Sequence, residues 1–194
     1  DITTYTFSGH SIGTAGRRHV IVGISGMSTV ADRTISSVTV GGITATSVIQ
    51  ISNNNGTFFQ RSAIYVAVVP TGTTADIVVT WSAGQLCTGI ATWAAYDLRR
   101  GVADTTATST ASTGTASISV PGGGFAILYL GSTTNAAART YTWTNGTERF
   151  DQTIEGGVIQ TGADNTHQAT SATTYTATPN AASDTSGALF ASFR

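Results

Sequence analysis

The chain has 194 residues and a formal net charge of −1, and only 10% of its residues are charged although 40% are hydrophobic; ordinary soluble domains carry about 25% charged residues. Every basic residue is an arginine, and the pairs Arg17–Arg18 and Arg99–Arg100 are too small to make the basic stripe that nucleic-acid phosphates or an anionic membrane surface require. Neither partner is expected. The lone cysteine, Cys87, excludes an intrachain disulfide, and no apolar run approaches the ~20 residues of a membrane-spanning helix. The chain begins at Asp1 rather than Met, as a processed or trimmed product, or a piece of something longer, would.

In chain order the pattern is β almost throughout. His19 to Ile24 is a compact, β-branched run. Ile35 to Val40 follows, then Gly41-Gly42, then Ile43 to Val48. Two glycines between such runs predict a hairpin, because glycine supplies the positive φ of a tight primed turn. Ala63 to Val69 is the next strand, closed by Pro70, which cannot donate to a ladder. Thr71 to Thr74 reads as a turn and Ile77 to Trp81 as a strand. Thr88 to Tyr96 contains Ile90, Trp93 and Tyr96 and reads as a long strand; its threonines and glycine weigh against a helix. Cys87, beside it, is expected to be a buried, inert thiol.

Residues 101–115 have little large apolar content and predict a solvated connection or an exposed edge strand. Ala116 to Val120 resumes strand character, Pro121 to Gly124 is a strong turn, and Phe125 to Leu130 is the clearest core strand of the second half. Tyr141 to Thr144 and Thr147 to Phe150 flank Asn145-Gly146, which predicts a second hairpin with a type I′ turn. Gly157 to Gln160, Thr173 to Thr178 and Ala188 to Phe193 complete the set, the last expected to pair with an early strand. About ten short strands at close spacing predict an all-β, antiparallel β-sandwich or jelly roll. No amphipathic helix, fixed-period repeat or dividing linker is apparent, so a single domain over 1–194 is expected.

The chemistry-bearing residues are sparse. His10, His19 and His167 are scattered, and no nucleophile motif such as G-x-S-x-G occurs. Three histidines and one cysteine give no zinc spacing. Asp164-Asn165 and Asp184 offer oxygen atoms, but isolated Asp and Asn in turns usually cap the local backbone. Glu148, Asp151 and Glu155 form the only local acidic cluster; on a regular strand Glu148 and Asp151 face opposite sides, which does not suit paired-carboxylate hydrolysis. Neither an enzyme nor a cofactor or metal is expected. Asn55-Gly56-Thr57 and Asn145-Gly146-Thr147 match the glycosylation sequon and also read as turns. Tyr141 and Trp143 share one face of their strand, and with Trp93 they are the candidate glycan-binding residues; the same rings could equally fill a sandwich core.

The run Arg18 to Ile24, followed by Ile35-Ser36-Ser37-Val38-Thr39-Val40-Gly41-Gly42-Ile43-Thr44-Ala45, then Ala67-Val68-Val69-Pro70-Thr71-Gly72 through Val79, Gly89 to Trp93 and Glu148 to Asp151, resembles virion-associated β-sandwich proteins of tailed bacteriophages. The likeness extends from about Phe7 to Phe193. The resemblance implies a structural component of a particle, foremost a capsid decoration or head-fibre protein. Such a protein would contact other virion subunits, form homo-oligomers and sit on the virion surface after assembly in the host cytoplasm. The alternative is a glycan-binding adhesion module of a tail fibre or cell-surface protein, with host polysaccharide as partner. The resemblance implies no catalytic residue.

Overall fold

The computed structural model describes residues 1–134, 139–155, 157–166, 169–183 and 185–194. His167 and Asp184 lie outside the described residues. Among the described residues sixteen strands run in chain order, of which the first half holds β1 (Ile2–Ser11), β2 (Arg18–Ser28), β3 (Ile35–Val40), β4 (Ile43–Thr44), β5 (Thr46–Asn54), β6 (Phe59–Val68), β7 (Thr74–Gln85) and β8 (Cys87–Tyr96). The second half holds β9 (Thr105–Ser109), β10 (Gly114–Val120), β11 (Phe125–Thr133), β12 (Tyr141–Thr144), β13 (Thr147–Thr153), β14 (Val158–Asn165), β15 (Ala169–Pro179) and β16 (Thr185–Phe193). The fold is all-β and every strand pairing is antiparallel, as the sequence predicts.

The strands form four sheets, ordered β1-β7-β3-β4, β5-β6-β2-β8, β13-β14-β11-β16-β9 and β10-β15-β12. They stack as four layers. The first two sheets enclose one core, which includes Val20, Val22, Ile24, Val38, Val40, Ile77, Val79 and Trp81. The last two enclose another, around Leu128, Leu130, Trp143, Tyr175 and Phe190. The two inner sheets pack on each other through a third cluster that includes Ile21, Ile64, Val66, Ile127, Tyr129, Leu189 and Phe193.

This layering explains two kinds of strand in the sequence. β2, β11 and β16 are covered on both faces, so they are buried almost end to end and read as continuous apolar or small-residue runs. β7 belongs to an outer sheet and alternates, with Ile77, Val79 and Trp81 inward and Val78 and Thr80 less buried. The inner interface also changes character along its length. Toward one end it becomes polar: Gln60 Nε2 donates to Ser62 Oγ (2.6 Å), Tyr129 Oη donates to Gln160 Oε1 (3.0 Å), and Gln160 Nε2 donates to the Ile90 carbonyl (3.0 Å).

The two sandwiches share one strand order. β1-β7-β3 corresponds to β10-β15-β12, and β5-β6-β2-β8 corresponds to β13-β14-β11-β16. The likeness extends to a defect. The β5–β6 register slips between Ser47 and Ile49, and the β13–β14 register slips between Glu148 and Phe150. A β-bulge at Val48 and its counterpart at Arg149 therefore occupy the same place in each half.

Several local expectations change. Gly41 and Gly42 have φ of 56° and 77° and form the expected hairpin, but β4 is only two residues long before the chain crosses to the inner sheet as β5. Asn145-Gly146 does not make a hairpin: β12 pairs with β15 and β13 with β14, so this turn joins two different sheets. Asn145 alone takes a positive φ, 63°, whereas a type I′ turn needs it at both central residues; at Gly146 a Cβ would meet Leu128 Cδ1 at 2.5 Å, so close packing also calls for glycine here. The C-terminal strand β16 pairs with β11 and β9 rather than with an early strand, and reaches the first half only by packing face to face. The 101–115 segment contains the edge strand β9.

Candidate functional site

The inner sheets do not meet evenly. Along one seam β16 packs closely over β5 and β6, and Asn53 Nδ2 crosses it to the carbonyls of Thr110 (3.0 Å) and Ser186 (2.9 Å). Along the opposite seam β8 stands off from β13 and β14, leaving a groove with a hollow of about 470 Å³ beside a second of about 290 Å³. Both hollows are lined by Trp93, Ala94, Arg149 and Asp164.

Each side chain is placed by its strand. Trp93 projects from the edge strand β8 toward the seam, and its indole is edge-on to Tyr129 (centroids 6.4 Å) and tilted against Phe150 (5.9 Å). Gly162 of β14 makes room for this arrangement, because a Cβ there would come within 2.5 Å of Phe150 Cε1 and 2.9 Å of Trp93 Cζ2. The bulge at Arg149 turns its guanidinium to Asp164, with Nε–Oδ2 and Nη2–Oδ1 both 2.7 Å. This is a bidentate pair with both charges opposed at close range. His10 Nε2 lies 3.0 Å from Thr92 Oγ1 on the first hollow's wall, and burial holds the His10 pKa below the ordinary histidine value. Gln152 completes that wall, accepting from Gln160 Nε2 at 3.2 Å.

The matched strand orders show what the open seam replaces. In the first half Ile21 pairs with Trp93 and Thr46 with Val66; in the second, Ile127 pairs with Ala191 and Thr147 with Asp164. Ile21 and Ile127 both point into the inner core. On the closed seam the chain thus places Ala191, Val48 and Val66 where the open seam has Trp93, Arg149 and Asp164. One side closes with small and apolar groups, and the other holds an aromatic ring and an ion pair.

Of the three aromatic candidates, only Trp93 is at this groove. Tyr141 and Trp143 do share a face, but it points inward: both are buried in the second core. Trp143 Nε1 donates to Thr161 Oγ1 (2.9 Å), and the Tyr141 hydroxyl lies 2.7 Å from Ser183 Oγ. They offer no surface to a glycan. The aromatic content of β12 fills a sandwich because the strand belongs to a thin outer sheet whose inward face must supply bulk.

The acidic cluster does not line the groove. The bulge at Arg149 breaks the alternation expected of β13 and brings Glu148 under the influence of Asp151; partial burial first, and the Asp151 charge second, raise the Glu148 pKa. Asp151 Oδ2 accepts the Tyr141 backbone N–H at 2.6 Å, and so serves the turn between sheets. Asp164 is taken by Arg149, and Asn165 Nδ2 donates to the Asn145 carbonyl (2.7 Å). Asn55 Oδ1 accepts from the backbone of Thr57 (3.0 Å) and Phe58 (2.9 Å), a side-chain-capped turn. Among the described residues no cluster of three or more His, Cys, Asp or Glu could hold a metal ion.

Phe150, Arg149, Gln152 and His10 were not legible as groove residues. Their meeting depends on the bulge and on the stacking of the two halves, and neither has a local sequence signature. Comparisons with protein-family models, with curated proteins and with solved structures give no match.

Proposed function

We propose that this protein is a non-catalytic saccharide-binding module whose ligand lies in the seam groove against Trp93. The observation that carries this reading is the asymmetry between the seams. The same fold closes one side with small and apolar residues, yet on the other leaves a partly buried indole at the groove wall beside Phe150, flanked by an ion pair, an amide and an imidazole. A flat apolar face with a few fixed polar groups around it is the usual make-up of a preformed ligand site, and sugar rings present apolar C–H faces bordered by hydroxyls that suit it. Host polysaccharide is the partner this implies. Isothermal titration with a panel of purified polysaccharides tests it: wild type binds at least one and Trp93→Ala binds none, whereas undiminished binding by Trp93→Ala overturns the reading.

A second reading, in which the module is a structural component of a tailed-phage-like particle and packs against copies of itself, rests on a different observation. Among the described strands at sheet edges, β13 alone carries Asp, Glu, Lys or Arg; β1, β4, β5, β8, β9, β10 and β12 carry none. Proteins usually blunt exposed edges with charge to prevent strand addition. Uncharged edges suit a protein that assembles through them. Light scattering over a concentration series tests this reading, which expects defined oligomers that dissociate when Thr4→Lys and Thr6→Lys are introduced on β1; a monomer at all concentrations contradicts it.

A further inference from the structure

Building on the saccharide reading, we infer that the groove selects an uncharged chain of at least two sugar residues, one on each side of the Arg149–Asp164 bridge. Three features carry this inference.

The first is charge. Among the described residues Arg149 is the only arginine or lysine on the walls of the two hollows, and both of its charge-assisted contacts go to Asp164. The other polar groups of the first hollow, Gln152, Thr92 and His10, add no fixed charge. A uronate or sialate carboxylate entering here would have to compete with Asp164 for the guanidinium, while lying within reach of the displaced carboxylate. Hydroxyl groups face no such conflict. Each Asp164 oxygen accepts one N–H from Arg149 and keeps a further lone pair, so the bridge can accept from sugar hydroxyls without being broken.

The second is the division of the groove. The bridge and Trp93 are common to both hollows, with Gln152 and His10 on one side and Phe125 and Thr166 on the other. A single pyranose would use one hollow and leave the other wet. The third is the platform: Trp93 and Phe150 supply ring surface on the first side, and Phe125, stacked on Phe193 at 5.6 Å, supplies it on the second. Aromatic faces on both sides of a central polar bridge match a chain whose successive rings each present an apolar face.

A glycan array of defined lengths, from monosaccharides to hexasaccharides and including neutral, uronate-containing and sialylated chains, tests the inference on the full protein. The expected result is binding confined to neutral glycans, with at least a tenfold gain in affinity from one residue to two or three. Gln152→Ala and Thr166→Ala, both at exposed positions on opposite sides of the bridge, are each expected to weaken long-chain binding threefold or more. Asp164→Asn, which frees the guanidinium, is expected to admit acidic chains that the wild type rejects. Equal affinity for monosaccharides and longer chains, or preference of the wild type for acidic glycans, overturns this inference and leaves the saccharide reading standing. Absence of binding to every glycan overturns the saccharide reading itself.

Discussion

At the scale of single residues the strongest structural commitment is Arg18. It is fully buried, and among the described residues no carboxylate pairs with it. Its guanidinium donates instead to five backbone carbonyls, those of Gly13, Thr14, Val69, Thr71 and Gly72, at 2.7 to 3.1 Å. The planar fork of arginine suits this task and an ammonium does not. Arg18→Met leaves those acceptors without their donor, and a loss of about 3–5 kcal/mol in urea unfolding is expected; Arg18→Lys should recover only part of it. A loss below about 1 kcal/mol, the range of ordinary surface substitutions, would contradict the role. From sequence, Arg18 is one half of a basic pair and nothing distinguishes it from Arg17, whose side chain is exposed and lies 3.5 Å from the Asp97 carboxylate. Cys87 was legible: it is buried as expected. Burial foremost, with the Glu155 charge adding to it and a backbone hydrogen bond from Met27 opposing, pushes its thiol up to about 11. The unfolded thiol ionises near its ordinary value of about 8.5, so above that pH the unfolded state holds fewer protons than the folded one. Stability is therefore expected to fall by roughly 2 kcal/mol as pH rises from about 8.5 to about 11, and Cys87→Ser should flatten that part of the pH profile. An unchanged slope in the variant would refute the assignment.

At the scale of elements, close approach of the two inner sheets depends on glycines in their central strands. A Cβ at Gly23 would lie 2.7 Å from Tyr129 Cδ2, and one at Gly131 would lie 2.6 Å from both Ser25 Cβ and Gln60 Nε2. Gly131→Ala is expected to cost about 1–3 kcal/mol, the usual range for overpacking a filled interior. Gly42→Ala tests a different demand: nothing crowds that position, and its cost is the positive φ alone. Thermal unfolding of the pair separates the two. If Gly131→Ala is neutral, the interface is looser than described. Most elements were readable, because outer strands alternate and turns carry Gly, Pro and Asn, but the outer strand β1 was not read, and the described residues hold sixteen strands rather than about ten. What misled was the pairing of neighbours. Asn145-Gly146 has a hairpin's residues, yet Tyr141 and Trp143 on one side of it point into a core closed by the opposite sheet. Local turn chemistry sets the reversal of the chain; burial decides which sheet each arm joins.

At the scale of the whole molecule, the repeat of strand order was not legible, although its traces are in the sequence. Val20 to Ile24 and Phe125 to Leu130 are both unbroken runs without a polar side chain other than the Tyr129 hydroxyl, and each marks an inner strand covered on two faces. A single sandwich leaves the outer face of each sheet to solvent and has no use for such runs. The groove was legible only through Trp93, since its facing walls come from strands more than 30 positions away that meet because two halves stack. The shared apolar cluster, the buried Gln160–Ile90 bond and the Asn53–Ser186 bond tie the halves together. One cooperative transition is therefore expected, with Trp81 in the first core and Trp143 in the second losing native signal together. Midpoints separated by more than about 5 °C would show that the halves unfold independently.

The central claim, that the open seam is the binding site, is tested most directly by the three indole N–H signals in a ¹H–¹⁵N spectrum during titration with a neutral oligosaccharide mixture. Trp81 and Trp143 are buried in separate cores, and Trp93 alone borders the groove. A saturable shift of the Trp93 signal is expected, with the other two unmoved. A titration that leaves Trp93 in place, or that moves Trp143 instead, contradicts it.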